Sequence, residues 1–165
     1  MRFTVTDEFA CTPERLWEIL EDGEFINRLE ERTEQRRELV EEHADNGVCH
    51  RRIRWVSQRD IPGVMKKALG IERLEYEHVQ RLDRAEGVMD WEVTTPFLSD
   101  RVDVTGTTRV VATQQGCRRA VEGQVQIRLP LMGKKMEAKL AGRLGDTERA
   151  AAAIVRELLA QAAES

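Results

Sequence analysis

Along most of this chain apolar residues recur at every second position, and from about Met132 onward they recur with a helical period. That one change of period constrains the fold more than any other feature. Met132, Met136, Leu140, Leu144, Thr147, Ala151, Ile154 and Leu158 fall within one stripe, and the alanine run 150–153 sits inside it. Gly142 and Gly145 weaken this helix locally and mark a bend. A long helix with one apolar stripe must bury it, and strands with one apolar face must do the same. Laying the helix across the concave face of a curved antiparallel sheet satisfies both.

The strands are read from alternation and turn chemistry. Residues 2–9 place Phe3, Val5 and Phe9 on one side. Thr12-Pro13-Glu14 then signals a helix start, with Thr as cap, Pro at the first helical position and Glu at the positive end of the dipole. Leu16, Trp17, Ile19 and Leu20 give that helix a buried side, Gly23 breaks it, and a second short helix runs from Glu24 to about Arg32. Residues 35–43 and 48–57 form a hairpin around Asn46-Gly47, with Val40 opposite Ile53, Glu41 opposite Arg52 and Glu42 opposite Arg51. Val64 to Leu69 forms a short helix ending at Gly70. Residues 72–82 carry Leu74, Tyr76 and His78 on one face, and 88–95 carry Met89, Trp91 and Val93; the register of this pair stays open. In the last hairpin a turn at Gln115-Gly116 pairs Val110 with Val121, Gly106 with Val125, Val104 with Ile127, Val102 with Leu129, Asp103 with Arg128 and Arg109 with Glu122. The expected fold is α+β: seven antiparallel strands, two short helices after the first strand, and a long C-terminal helix, all in one domain spanning 1–165.

A net charge of -4 argues against general affinity for nucleic acid or anionic membrane, and no apolar run reaches membrane-spanning length. The N-terminal segment lacks the apolar stretch of a signal peptide, so the chain reads as cytoplasmic. The three cysteines, Cys11, Cys49 and Cys117, are far apart and form no CxxC pair, which points to reduced thiols; Cys49 reads as buried and inert. No cofactor motif is present, and no metal is expected. His43 and His50 face each other across the first hairpin, but the rest of a ligand set is missing, so they read as a solvated cross-strand pair. The run Arg51, Arg52 and Arg54 reads as a solvated charge ladder, with Arg52 and Arg54 beside Glu75 and Glu77.

With this order of elements the chain resembles the START-like superfamily, also called birch-pollen-allergen-like, SRPBCC or polyketide-cyclase-like. The carrying residues are the first strand leading into Thr12-Pro13-Glu14-Arg15-Leu16-Trp17-Glu18-Ile19-Leu20, and the final strand leading through Leu129-Pro130-Leu131-Met132-Gly133-Lys134-Lys135-Met136-Glu137 into the last helix. Within that superfamily it looks most like a bacterial family of START-like proteins with no assigned function. The resemblance implies a helix-grip fold. It also implies a binder or carrier of a hydrophobic or amphipathic small molecule, lipid-like or polyketide-like, and sometimes an enzyme.

The residues expected to face the space between sheet and helix are Leu74, Tyr76, His78, Met89, Trp91, Val104, Val121, Val125, Ile127, Met136 and Leu140. From the residues alone, a ligand cavity and a filled core both remain open; the resemblance favours the cavity. Gly106 and Gly123 on the inward face leave space there, or else mark a bend. Tyr76 and His78 are the polar groups that reach inward; they could orient a ligand or move a proton, or sit as hydrogen-bonded core residues. Arg119 lies on the apolar face near the hairpin end, where it could receive a ligand's carboxylate or phosphate at the cavity mouth, or snorkel at the rim. Three functions follow: a small-molecule binder, a cyclase, aromatase or hydrolase using Tyr76 or His78, and a protein-interaction module. The expected state is a monomer or weak dimer.

Overall fold

The computed structural model describes residues 1–165, apart from the side chains of Met65 and Ala68. The chain forms β1 (Arg2–Phe9), α1 (Pro13–Glu21), α2 (Gly23–Thr33), β2 (Gln35–Asp45), β3 (Val48–Ser57), α3 (Gly63–Leu69), β4 (Glu75–Asp83), β5 (Val88–Thr94), β6 (Val102–Thr113), β7 (Gly116–Ile127) and α4 (Gly133–Glu164). The seven strands make one curved sheet in the order β1-β7-β6-β5-β4-β3-β2, every neighbour antiparallel. The helix-grip architecture expected from the change of period is what the chain adopts.

Local chemistry accounts for the element ends. The Thr12 hydroxyl accepts from the Arg15 amide at 3.2 Å, and Pro13 opens α1. Gly23 does not merely break that helix. Asp22 closes α1 and caps α2, accepting the Glu24 amide at 2.8 Å, so α2 starts at Gly23 itself. Asn46 and Gly47 both take positive φ, 50° and 80°, as a two-residue hairpin turn requires. No helix among the described residues is long and apolar enough to cross a membrane.

The registers differ from expectation in two places. In the first hairpin Glu41 and Glu42 face Arg52 and Arg51 as anticipated, but Ile53 pairs with Leu39. Val40 sits in a bulge, which turns Gln35 and Arg37 onto the face of Ile53 and Trp55. In the last hairpin the turn is Gln114-Gln115, so Val102 pairs with Ile127, Val104 with Val125 and Gly106 with Gly123. A two-residue slip keeps each side chain on its face, which is why the apolar pattern could not exclude it. Arg128 still reaches Asp103 across the corrected ladder. The expected Arg109–Glu122 partnership is lost, because Arg109 faces Ala120.

The β4–β5 register is now fixed, with Leu82 opposite Met89 and His78 opposite Val93. Leu74 precedes β4 and contributes its carbonyl to the Ser57 amide at 2.9 Å. On α4 the buried residues are Gly133, Ala141, Gly145, Ala151, Ala152, Ile154 and Val155, while Met132 is exposed before the helix begins. The outer face of the sheet carries the anticipated ladder, with Arg52 to Glu77 at 3.5 Å and Arg54 to Glu75 at 3.2 Å. Cys49 is half-buried and accepts from Arg51 Nε at 3.4 Å; it is not sealed in the core. Cys11 and Cys117, distant in sequence, lie side by side, and burial pushes both thiols up, Cys117 to about 12.

Candidate functional site

The concave face divides into a packed end and a hollow end. At the packed end Val5, Trp91, Val93, Val104, Val121, Val125 and Ile127 are buried together, with Phe3, Met136 and Leu140 against them. The inward glycines leave no space here. A Cβ on Gly106 would stand 2.1 Å from the Trp91 ring, and one on Gly123 would stand 2.3 Å from the Phe3 ring. Aromatic side chains already occupy the room the glycines create. The Trp91 indole donates to the Thr108 hydroxyl at 3.2 Å, so its one polar atom is satisfied.

The hollow end lies between α1, α2, α4 and strands β2 to β7. It holds a half-open cavity of about 150 Å³. Trp17, Phe25, Leu29, Ile53, Trp55 and Leu82 supply apolar wall, and Leu144 and Ala151 close it from α4. Of the residues expected to line a cavity, Tyr76, His78, Met89 and Arg119 do so. Leu74, Trp91, Val104, Gly106, Val121, Val125, Ile127, Met136 and Leu140 do not border it. The hollow lies farther from the C-terminal end of β7 than expected, because nothing local to Gly106 and Gly123 shows that aromatic rings cover them.

The polar groups of the cavity follow from strand geometry. Tyr76, His78 and Gln80 alternate along β4 and all face inward. The Tyr76 hydroxyl donates to Gln35 Oε1 at 3.2 Å, and burial pushes the phenol up to about 12. Burial, aided by the Arg37 guanidinium, pushes the His78 imidazole down to about 4. The neutral ring accepts from the Gln80 amide at 2.8 Å through Nδ1, which leaves the proton on Nε2. It stacks on Trp91 with centroids 5.3 Å apart, so His78 stands on the boundary between the two ends. No carboxylate hydrogen-bonds to Tyr76 or His78 among the described residues.

Three arginines line the same cavity. Arg119 is not at the rim. Only 2% of it is exposed, and it reaches Glu148 Oε2 at 3.1 Å, the Glu148 carbonyl at 3.0 Å and Asp7 Oδ2 at 3.4 Å. Burial pushes the Glu148 carboxyl up, against the pull of Arg119. Arg51 leaves the solvated ladder for the inside, where it pairs with Glu21 and with Glu42 at 2.9 Å. Glu21 is shared with Arg84; burial raises its carboxyl, but the two guanidiniums outweigh that and hold it below the ordinary range. Arg37 was missed in the sequence because an unbroken hairpin places Arg36, not Arg37, on the inner face. The bulge at Val40 is the missing information.

The roof over the hollow end is fastened by charge. Arg28 and Arg32 of α2 both reach Glu157 of α4, at 3.4 Å and 2.9 Å, and Arg28 also donates to Gln161 at 3.0 Å. His43 and His50 stack with centroids 4.8 Å apart on the far hairpin, away from the cavity. Among the described residues no group of three or more His, Cys, Asp or Glu is arranged to hold a metal.

Comparison with known proteins places the fold. Residues 4–159 match the family described as "Protein of unknown function (DUF2505)". A crystal structure from Thermus thermophilus superposes with a TM-score of 0.67 at 14% identity, covering 98% of this chain and 99% of that one. The Zhui aromatase/cyclase of a Streptomyces species gives 0.63 at 16% identity, covering 95% and 90%. Ara h 8.0201 gives 0.59 at 13% identity, covering 94% and 97%. At these identities the likeness is one of fold, and it is the START-like fold. No curated protein sequence matches this chain.

Proposed function

The chain belongs to the family described as protein of unknown function (DUF2505), and from its cavity we propose that it binds a small amphipathic molecule between sheet and helices. The observation that carries the reading is the half-open hollow itself. It has an apolar wall with a few converging polar groups, which is the make-up of a small-molecule site. Its volume of about 150 Å³ is below the ~300–1,000 Å³ of usual ligand pockets, so it suits a compact molecule. A compact aromatic or short-chain ligand fits it; a long acyl chain does not without movement of α2.

Binding accounts for the polar groups better than acid–base catalysis. Similar folds include an aromatase/cyclase. Yet His78 is pushed down to about 4 and Tyr76 up to about 12, so neither exchanges a proton readily near neutrality. Their hydrogen-bond partners are the amides of Gln80 and Gln35, which orient them without activating them.

The test uses a neutral probe of matching size. Trp17 and Trp55 border the cavity and Trp91 does not. Titration with cinnamyl alcohol is expected to quench tryptophan fluorescence saturably, and Trp55→Phe is expected to remove most of the change. Absence of saturable quenching and of any retained probe in native mass spectrometry overturns the proposal.

A further inference from the structure

The fully buried side-chain polar atoms left without a partner in the cavity wall are of one kind. Two buried side-chain atoms of wall residues have no partner, Trp17 Nε1 and Arg119 Nε, and both are N–H donors. Trp17 and Arg119 are 3% and 2% exposed, so bulk water does not serve these donors. The carboxylates of the wall are already engaged: Glu21 by Arg51 and Arg84, Glu148 by Arg119. Gln80 is engaged with His78, and Thr108 with Trp91.

The charges leave a remainder of the same sign. Arg37 lines the cavity, is half-buried, and has no ion pair among the described residues. Burial and the neighbouring Arg51 hold its guanidinium below the ordinary range against the pull of Glu30, Glu21 and Glu42, none of which reaches it within ion-pair distance. Arg37 also faces His78, whose ring stays neutral beside it and presents Nε2–H, a further donor. An unpaired guanidinium is a fork suited to a planar carboxylate.

Resting on the binding reading above, we propose that the ligand is a small aryl or short-chain carboxylic acid, its apolar body between Trp17 and Trp55 and its carboxylate on the Arg37 guanidinium. A cationic ligand offers these donors nothing, and a neutral one leaves the Arg37 guanidinium without a counter-charge in contact. The site therefore selects for charge at one end and for shape at the other.

Cinnamate and cinnamyl alcohol separate the two demands, since they share a body and differ in the head. Calorimetric titration is expected to show cinnamate binding at least about tenfold more tightly than the alcohol, the scale of one charge-assisted hydrogen bond. In Arg37→Met the preference for the acid over the alcohol is expected to disappear. Arg37→Lys keeps the charge but not the fork and is expected to recover part of the preference. Arg37 carries no structural ion pair and sits on an edge strand, so thermal melting of both variants is expected to match the parent. Equal binding of acid and alcohol by the parent overturns the carboxylate proposal and leaves the cavity reading standing. An acid preference that survives Arg37→Met overturns the role of Arg37. Failure of the parent to bind either probe defeats the underlying reading instead.

Discussion

Trp91 lies over Gly106 and Phe3 over Gly123, and no space remains between these pairs and α4. On the same concave face, Trp17 and Trp55 stand around a void together with three arginines. Both ends have large aromatics, and only one is hollow. At the packed end every inward residue is apolar or glycine, so side chains close to crystal-like density. At the other end, inward Arg37, Arg51 and Arg119 bring charges that need partners and room, and long ionic side chains cannot interdigitate as valines do. A charged residue at an inward strand position thus marks the hollow more reliably than an inward glycine does.

The contrast is open to attack by paired substitutions. Trp91→Ala removes a ring with neighbours on both faces and is expected to destabilise by about 3–5 kcal/mol in denaturant unfolding. Trp55→Ala removes a ring that already borders empty space, and about 2 kcal/mol is expected. Equal losses would erase the distinction between the ends.

The next effect is in pH. His78 titrates near 6.5 when unfolded and near 4 when folded, so the unfolded chain takes up the proton first. Stability from the neutral ring is complete above about pH 6.5 and falls as pH drops toward 4, by up to about 3 kcal/mol. Glu148 acts in the opposite sense, because its folded carboxyl is raised and so loses stability as pH rises. In His78→Phe the acid-side decline is expected to flatten. A parent whose midpoint follows the same pH profile as His78→Phe over that window would mean that His78 is open to solvent.

The smallest effect comes from adding atoms. Gly106→Ala drives a methyl into Trp91 and the Glu122 carbonyl, and a loss of about 1–3 kcal/mol is expected. Ala151→Val points at the hollow wall, and a change of less than about 1 kcal/mol is expected, of either sign. Melting of the two variants side by side decides which end has room.

How much of this could be read beforehand depends on range. The element order, the Thr12 cap and the Asn46-Gly47 turn are local chemistry, and each is written in a few consecutive residues. The last hairpin shows the limit. Gly116 was taken as a turn residue, but its φ of 149° and the Phe9 carbonyl 2.1 Å from where a Cβ would stand make it the point where the end of β1 crosses close to β7. That demand comes from a strand more than a hundred residues away. Tyr76, His78 and Met89 were legible from alternation. Trp17, Trp55, Arg37 and Arg51 were not, because their arrival at one cavity depends on the Val40 bulge and on how α1 and α2 fold back.

The attachment of α2 to Glu157 bears on traffic through the site. What resists a swing of that segment away from α4 is a cluster of partly exposed ion pairs. Added salt weakens exposed ion pairs, so α2 is expected to loosen from α4 as ionic strength rises. Under the binding reading, exchange of a guest past α2 is then expected to quicken with salt.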